Sequence, residues 1–172
     1  MKITNIKVTP VNIPLELPFL WTAGLYPGTS KTVIQVETDE GIVGLGEAPS
    51  SLGGINRAIR FIGACEAMGV GFWCYSGDAG ICTAAYLHVT AAMPWMHEPS
   101  QALLRWQIGD VIQGGPFKPK NNVVPVPEGP GLGVELDRDA LKHWHQHYLD
   151  NGPVDHFYDP SSPGYFRRLP LN

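Results

Sequence analysis

The spacing of apolar residues changes near residue 50, and this change constrains the fold more than any other feature of the chain. Apolar residues alternate with polar ones over residues 2–15, which is typical of a β-strand with one buried face. Two further apolar runs, at 32–38 and 42–46, flank a turn-forming sequence at 39–41. We therefore expect the N-terminal third to be a three-stranded antiparallel meander.

Beyond residue 54 the apolar spacing becomes helical. Asn56 is expected to cap a helix that runs from residue 57 to about residue 68, where Gly69 ends it. We predict a strand buried on both faces at 70–75 and a second helix at 79–93. The apolar face of the first helix would consist of Ile55, Ile59, Ile62, Cys65 and Met68. A helix, a buried strand and a helix in succession are typical of a parallel α/β barrel.

The C-terminal third contains one more predicted strand and one more predicted helix. The strand lies at 123–126, and Asp137 is expected to cap a helix that ends near Leu149. Residues 153–172 are rich in proline and aromatic residues and are predicted to lie along the surface. Together these patterns predict an α+β fold in which the meander pairs with residues 123–126 and packs against the last helix.

Composition argues against several classes of function. Of the 172 residues, 44% are hydrophobic and 16% are charged, and the net charge is −4, so we expect a domain with a core and no nucleic-acid partner. No apolar run approaches a membrane span, and the first residues lack a signal peptide's apolar segment, so we expect a cytoplasmic protein with no membrane partner. The three cysteines form no CxxC pair, and we interpret them as buried free thiols.

Three stretches of the chain together resemble the enolase superfamily, in its mandelate racemase, muconate lactonising enzyme and glucarate dehydratase branch. MKITNIKVTPVNIPL with TVIQVETDEGIVGLGEAPS resembles the start of the family's capping domain through its GxGE turn. FWCYSGDAGICTAAYLHVTAAMP is similar to the seventh strand, the following helix and the eighth strand of the barrel. GGPFKPKNNVVPVPEGPGLGVELDRDAL is similar to the segment that returns from the barrel to the capping domain.

The resemblance implies three segments in the chain. Residues 1–50 would form the capping-domain meander, residues 51–95 a barrel remnant resembling the sixth helix to the eighth strand, and residues 96–172 a return to the capping domain. Since a complete (β/α)8 barrel takes about 250 residues, most of the first six barrel strands would be absent. The expected fold is a partial enolase-type capping domain, a meander plus a helix, beside this truncated TIM barrel.

The family's chemistry, as the resemblance implies it, is proton abstraction next to a carboxylate. A magnesium ion, bound by acidic side chains at the ends of the third, fourth and fifth barrel strands, stabilises the enediolate that this abstraction forms. Because those strands and the second-strand lysine have no counterpart here, we expect no cofactor in this chain and no activity of the chain alone.

The resemblance leaves two interpretations of the function open. The first is a magnesium-dependent lyase or isomerase acting on a small carboxylate or a sugar acid. The second is a non-catalytic remnant, or a binding or oligomer-forming module that associates with an intact paralogue. A homo-oligomer is compatible with both.

Five residues are candidates for a rim that contacts substrate. They are Trp21, Tyr26, Tyr75, Ser76 and Asp78. The first two lie in a predicted loop at 17–30 that, by resemblance, closes over the barrel mouth. The other three follow the predicted seventh strand, where barrel side chains face substrate. Alternatively, the two loop aromatics pack on the domain surface, and Asp78 caps the following helix. No catalytic or metal-binding residue is assigned.

Two short motifs suggest chemistry but are better explained structurally. Lys118 and Lys120 spell KxK, the family's catalytic pair, yet a proline separates them, so we predict a solvated basic turn. His143 and His147 have the i, i+4 spacing of metal ligands on a helix. No third ligand is evident, so we interpret them as polar histidines on a solvated helix face.

Overall fold

Three long antiparallel strands form the main sheet of the structure, a computed structural model that describes residues 1–21, 24–48, 53–76, 78–102 and 106–153. The strands are β1 (Ile3–Trp21), β2 (Gly24–Thr38) and β3 (Val43–Ala48), in the spatial order β1-β2-β3. The predicted meander is thus confirmed, with its tight turn at 39–41. The predicted surface extension lies almost wholly outside the described residues.

The first hairpin is longer than the prolines suggested. We predicted a loop at 17–30, but β1 continues past Pro14 and Pro18 and β2 begins at Gly24. Two features explain the difference. β1 is an edge strand, where a missing N–H costs least, and its register with β2 shifts between Pro14 and Phe19. The strand therefore accommodates its prolines at an irregularity instead of ending at them.

In the described part of the chain, three helices follow the meander. They are α1 (Ile55–Ala67), α2 (Gly80–Ala91) and α3 (Arg138–Asn151). Asp137 caps α3 as predicted, because its carboxylate accepts hydrogen bonds from the backbone N–H groups of Asp139 (3.0 Å) and Ala140 (2.9 Å). Asn56 does not cap α1: the helix begins one residue before it, and its N-cap is Gly54. Within the described ranges, no helix is long and apolar enough to cross a membrane.

The strand predicted at 70–75 is mostly absent. Only β4 (Tyr75–Ser76) forms, and it pairs in parallel with β5 (Gln101–Ala102), which lies beyond the stretch expected to contain the eighth strand. Trp73 is 45% exposed and Tyr75 54% exposed, so the segment is not buried on both faces. A buried parallel strand needs neighbours on both edges and helices on both faces, and the described residues supply one neighbour of two residues.

The return to the sheet also differs from the prediction. Residues 123–126 form no strand and make only an isolated bridge between Lys120 and Val123. Instead, Ile112 bridges Leu136, and the N–H of Asp137 donates to the carbonyl of Val111 (2.9 Å). The meander therefore pairs with the segment 107–113 and not with residues 123–126. Leu15 bridges Gln107, and the N–H of Ile108 donates to the carbonyl of Pro14 (3.5 Å).

The core lies where the inner face of the sheet meets α2, α3 and the segment 107–113. Its buried members are Val11, Ile13, Val33, Ala79, Ile81, Val111, Ile112, Leu141 and Trp144. α1 contributes little to this core: of its predicted apolar face only Ile62 and Cys65 are buried, while Met68 is 68% exposed. The α+β architecture is confirmed, and the segment boundaries at 50 and 95 stay predictions.

The packing of Trp144 against Gly109 gives a stability prediction. A Cβ at Gly109 would lie 2.2 Å from Cζ2 of this core indole. We expect Gly109→Ala to lower the free energy of unfolding by about 1–3 kcal/mol, because the core must shift to admit a methyl group. Urea titration followed by tryptophan fluorescence measures the change.

The matched control is Gly63→Ala in α1, where an added Cβ meets nothing within 4 Å. This variant should raise the free energy of unfolding by about 0.5–1 kcal/mol, since alanine loses less entropy than glycine in a helix. Equal stability of the two variants would contradict the packing described above.

Candidate functional site

A cavity with a volume of about 650 Å³ lies between α1, β3 and α2. This volume falls within the range of sites that bind small molecules. Apolar and aromatic side chains form most of the wall: Leu45, Ile62, Phe72, Trp73, Ile81, Tyr86 and Val89. Glu47, Tyr75, Asp78 and Cys82 supply polar groups. The cavity therefore combines a broad apolar surface with a small acidic region near the start of α2.

The start of α2 is capped by a carboxylate from the sheet. Glu47 lies on β3, and its two oxygens accept hydrogen bonds from the backbone N–H groups of Ala79 (2.8 Å) and Cys82 (3.0 Å). α2 has no side-chain cap of its own, because its N-cap is Ala79. Glu47 therefore satisfies two of the four N–H groups that a helix N-terminus leaves without partners.

A second carboxylate contacts the same helix end, and it comes from a residue that follows α2 in the sequence. One oxygen of Asp110 accepts hydrogen bonds from the N–H groups of Gly80 (2.9 Å) and Val111 (2.6 Å). Gly80 permits this approach, since an added Cβ would lie 2.9 Å from the other Asp110 oxygen and 2.5 Å from Ile112. Two acids from distant parts of the chain thus hold one helix terminus.

Burial outweighs these hydrogen bonds in setting the charge of both acids. It raises the pKa of Glu47 to about 7, although the two N–H donors act to lower it. It likewise raises the pKa of Asp110 to about 6 against its backbone donors. Near neutral pH each group is close enough to its pKa that both protonation states are populated.

A buried ion pair lies beside Glu47. Lys31 on β2 pairs with Asp78, and their side chains are only 11% and 20% exposed. Burial acts to lower the pKa of Lys31, but the attraction of Asp78 outweighs it and the net shift is upward. The thiol of Cys82 donates a hydrogen bond to the other Asp78 oxygen (3.3 Å). Burial and the nearby acids raise the pKa of this thiol, so Cys82 stays protonated and is a poor nucleophile.

The structure places the five predicted rim residues differently from one another. Tyr75 and Asp78 line the cavity. Ser76 lies behind the wall, where it is 1% exposed and its hydroxyl hydrogen-bonds that of Thr83 (3.1 Å). Tyr26 contributes to the electrostatic environment of Lys31 and Tyr75, whereas the side chain of Trp21 lies outside the described residues.

The alternative prediction, that Asp78 caps α2, is wrong. Its side chain accepts no backbone N–H at the start of α2 and instead pairs with Lys31. Capping comes from Glu47 and Asp110, which sequence reasoning missed. Glu47 is the glutamate of the GxGE motif. The motif indicated a family resemblance at this position but did not predict that the side chain caps α2. No local signal relates residue 47 to residues 79–82, because the contact depends on the tertiary fold.

The acidic region does not fit a magnesium ion. Magnesium prefers octahedral oxygen coordination, in which the protein usually supplies one or two carboxylates that are free to bind it. Here Glu47 uses both oxygens to cap α2, and Asp78 is paired with Lys31. Among the residues that the structure describes, no three histidine, cysteine or acidic side chains could hold a metal together.

The two short motifs have structural explanations. Lys118 and Lys120 are exposed, as predicted for a solvated basic turn. Of the two histidines predicted on a solvated face of α3, His143 is exposed, whereas His147 is less solvated than expected. His147 is partly buried, its ring centroid 6.2 Å from that of Trp144, and the intervening His145 donates its Nδ1 proton to the carbonyl of Pro10 (2.7 Å).

The raised pKa values of Glu47 and Asp110 predict a pH dependence of stability. A carboxyl group that titrates higher in the folded chain than in the unfolded chain makes the folded state bind protons more tightly. Its stabilising contribution is complete below about pH 4 and is lost as pH rises through its folded pKa. For Glu47 this loss should amount to about 1–3 kcal/mol and should be complete above about pH 7.

Urea unfolding of Glu47→Gln between pH 4.5 and 8 isolates this contribution. The variant should be less stable overall, because an amide loses one of the two caps, but its stability should fall less steeply with pH. Glu16→Gln on an exposed stretch of β1 is the matched control and should keep the wild-type slope. A wild-type slope in Glu47→Gln would show that Glu47 titrates normally.

The sequence matches the family model described as Enolase C-terminal domain-like over residues 44–140, more than half of the chain. A chloromuconate cycloisomerase from Pseudomonas putida is 34% identical over 97 residues, 55% of this chain and 26% of that protein. A "Probable glucarate dehydratase" from Streptomyces coelicolor is 34% identical over 106 residues, 58% of this chain and 23% of that protein. The chain thus spans about a quarter of the length of these curated relatives.

A solved structure agrees with the fold. The crystal structure of an enolase from Pseudomonas fluorescens Pf0-1, with bound magnesium, potassium and tartrate, superposes with a TM-score of 0.80 at 14% identity. The superposition covers 90% of this chain and 94% of that chain. Such an identity establishes likeness of fold alone, and the bound ion shows that magnesium occurs within the family. The family match over residues 44–140 shows that this chain belongs to the enolase superfamily, as its motifs predicted.

Proposed function

We propose that this chain, acting alone, does not catalyse magnesium-dependent proton abstraction from a carboxylate substrate. The observation that carries the proposal is the engagement of its acids. Glu47 and Asp110 hold the start of α2, and Asp78 neutralises Lys31. An acid that accepts two backbone N–H groups is unavailable as a metal ligand unless the helix end is disrupted. None of these three acids is therefore free to hold a magnesium ion in this chain.

Cycloisomerase or dehydratase activity of the kind named in the relatives would then require additional chain. The metal-binding strands would come from a longer polypeptide that includes these residues, or from an intact paralogue that associates with them. In either case this chain would supply the capping meander and the last part of the barrel. The internal truncation inferred from the motifs belongs to this same proposal.

A non-catalytic binding module is the second candidate. The cavity of about 650 Å³ favours it, because the cavity exists in the chain without any further segment. This candidate and the first agree that the chain alone lacks the family's turnover. They differ in whether the cavity itself binds a molecule.

The proposal predicts no tight magnesium binding. Isothermal titration of the 172-residue chain with MgCl2 at neutral pH should show no site of micromolar affinity, since a hard cation needs several free oxygen ligands. A calcium titration serves as a control for weak, non-selective attraction to the acidic surface. A stoichiometric magnesium site of micromolar affinity would contradict the proposal.

The second expected outcome concerns turnover. Losing a single group that stabilises the transition state costs about a hundredfold or more in rate, and here we propose that metal, ligands and base are all missing. We expect no dehydratase, racemase or cycloisomerase activity on sugar acids and muconates with added magnesium. Activity above background that disappears in Asp78→Asn, but persists in Asp139→Asn on the exposed face of α3, would overturn the proposal.

A further inference from the structure

The cavity wall offers a flat aromatic ring several surfaces to contact. The lining includes the rings of Phe72, Trp73 and Tyr86 together with the side chain of Val89. Phe72 is held by an edge-to-face contact with Phe61, whose ring centroid is 5.7 Å away. A wall positioned in this way favours a compact ring system over a flexible polyhydroxylated chain, because few of its polar groups could pair with hydroxyls.

The charges around the cavity disfavour anions. Among the described residues that line it, the ionisable side chains are acids, tyrosines and cysteines, and none is basic. Burial raises the pKa of Tyr86 to about 12, so its hydroxyl stays neutral. Lys31, the cation that contacts Asp78, is already paired with that acid, and its side chain is only 11% exposed. A carboxylate entering the cavity would meet two acids and, among the described residues that line it, no basic side chain.

A hydrogen-bond donor, by contrast, has a partner. Asp78 lies in the wall, and a carboxylate has about four lone-pair positions, of which Lys31 and the Cys82 thiol occupy two. A hydroxyl or ammonium group on the ring could donate to a remaining position. Such a hydrogen bond to a charged acceptor is stronger than one between neutral groups.

We propose that this cavity binds a neutral or cationic aromatic molecule whose hydrogen-bond donor contacts Asp78, and that it discriminates against the carboxylates implied by the family resemblance. The proposal is independent of whether the chain turns over a substrate. Binding without turnover would support this proposal and the proposed lack of catalysis together. Turnover without such binding would contradict both.

Three probes that share one ring test the preference. They are 2-naphthylmethylamine, 2-naphthalenemethanol and 2-naphthoate, titrated into the 172-residue chain at pH 8 and followed by ligand-observed NMR. The amine and the alcohol should bind, and the naphthoate should bind about tenfold more weakly or not at all. Naphthoate binding as tightly as the amine, or no binding of any probe, overturns the proposal.

Two variants locate the site and the cause of its selectivity. Ala85→Trp should weaken the binding of all probes about tenfold or more, because Ala85 lines the cavity and an indole there would occupy part of it. Asp78→Asn removes the acid and frees Lys31, so the ratio of amine to naphthoate affinity should fall about tenfold or more. Asp139→Asn, the same change on the exposed face of α3, should leave that ratio unchanged.

Each variant can contradict one part of the proposal, either the location of the site or the role of Asp78. Undiminished binding to Ala85→Trp would place the probes elsewhere on the chain, and an unchanged ratio in Asp78→Asn would remove Asp78 as the cause. Circular dichroism establishes that each variant is folded. Should Asp78→Asn fail to fold, the wild-type probe series and Ala85→Trp still decide the proposal.

Discussion

The arrangement of the structure depends on how the N-terminus of α2 is capped. A helix whose N-cap is Ala79 has no local side chain for its free N–H groups, and leaving them buried without partners would cost about 1–3 kcal/mol each. Glu47 and Asp110 provide the missing acceptors from β3 and from the segment before α3. Each hydrogen bond therefore also fixes one element against another, so that sheet, α2 and the 107–113 segment share one junction.

The same junction extends to α3 through Asp110. The indole of Trp144 donates to the Asp110 carbonyl (3.2 Å), while the Asp110 side chain faces α2. Close approach on both sides requires residues without a Cβ, and glycines occupy positions 80 and 109 for that reason. The burial of the acids has an electrostatic consequence, because it makes the junction most stable when they are protonated.

Sequence patterns predicted those parts of the fold that local interactions determine. The meander follows from alternation and a tight turn, and the start of α3 follows from Asp137. The prediction was wrong where contacts between distant residues determine the secondary structure. Pro14 and Pro18 are accommodated because they lie in an edge strand, and residues 70–75 form little strand because they lack strand neighbours. The cavity was only partly foreseen. Tyr75 and Asp78 were named as rim residues, but pairs such as Lys31 with Asp78 join residues far apart in sequence and leave no periodic signal.

The contacts between the first strand and the last helix have a consequence for folding during synthesis. His145 donates to Pro10 across 135 residues, and Asn12 donates to the Gly152 carbonyl across 140. Since translation releases the N-terminus first, Val11 and Ile13 leave the ribosome long before α3 exists to cover them. Contacts of such sequence separation form slowly because a long loop must close first. A nascent chain of this protein thus leaves Val11 and Ile13 without the cover of α3 until that helix has been made.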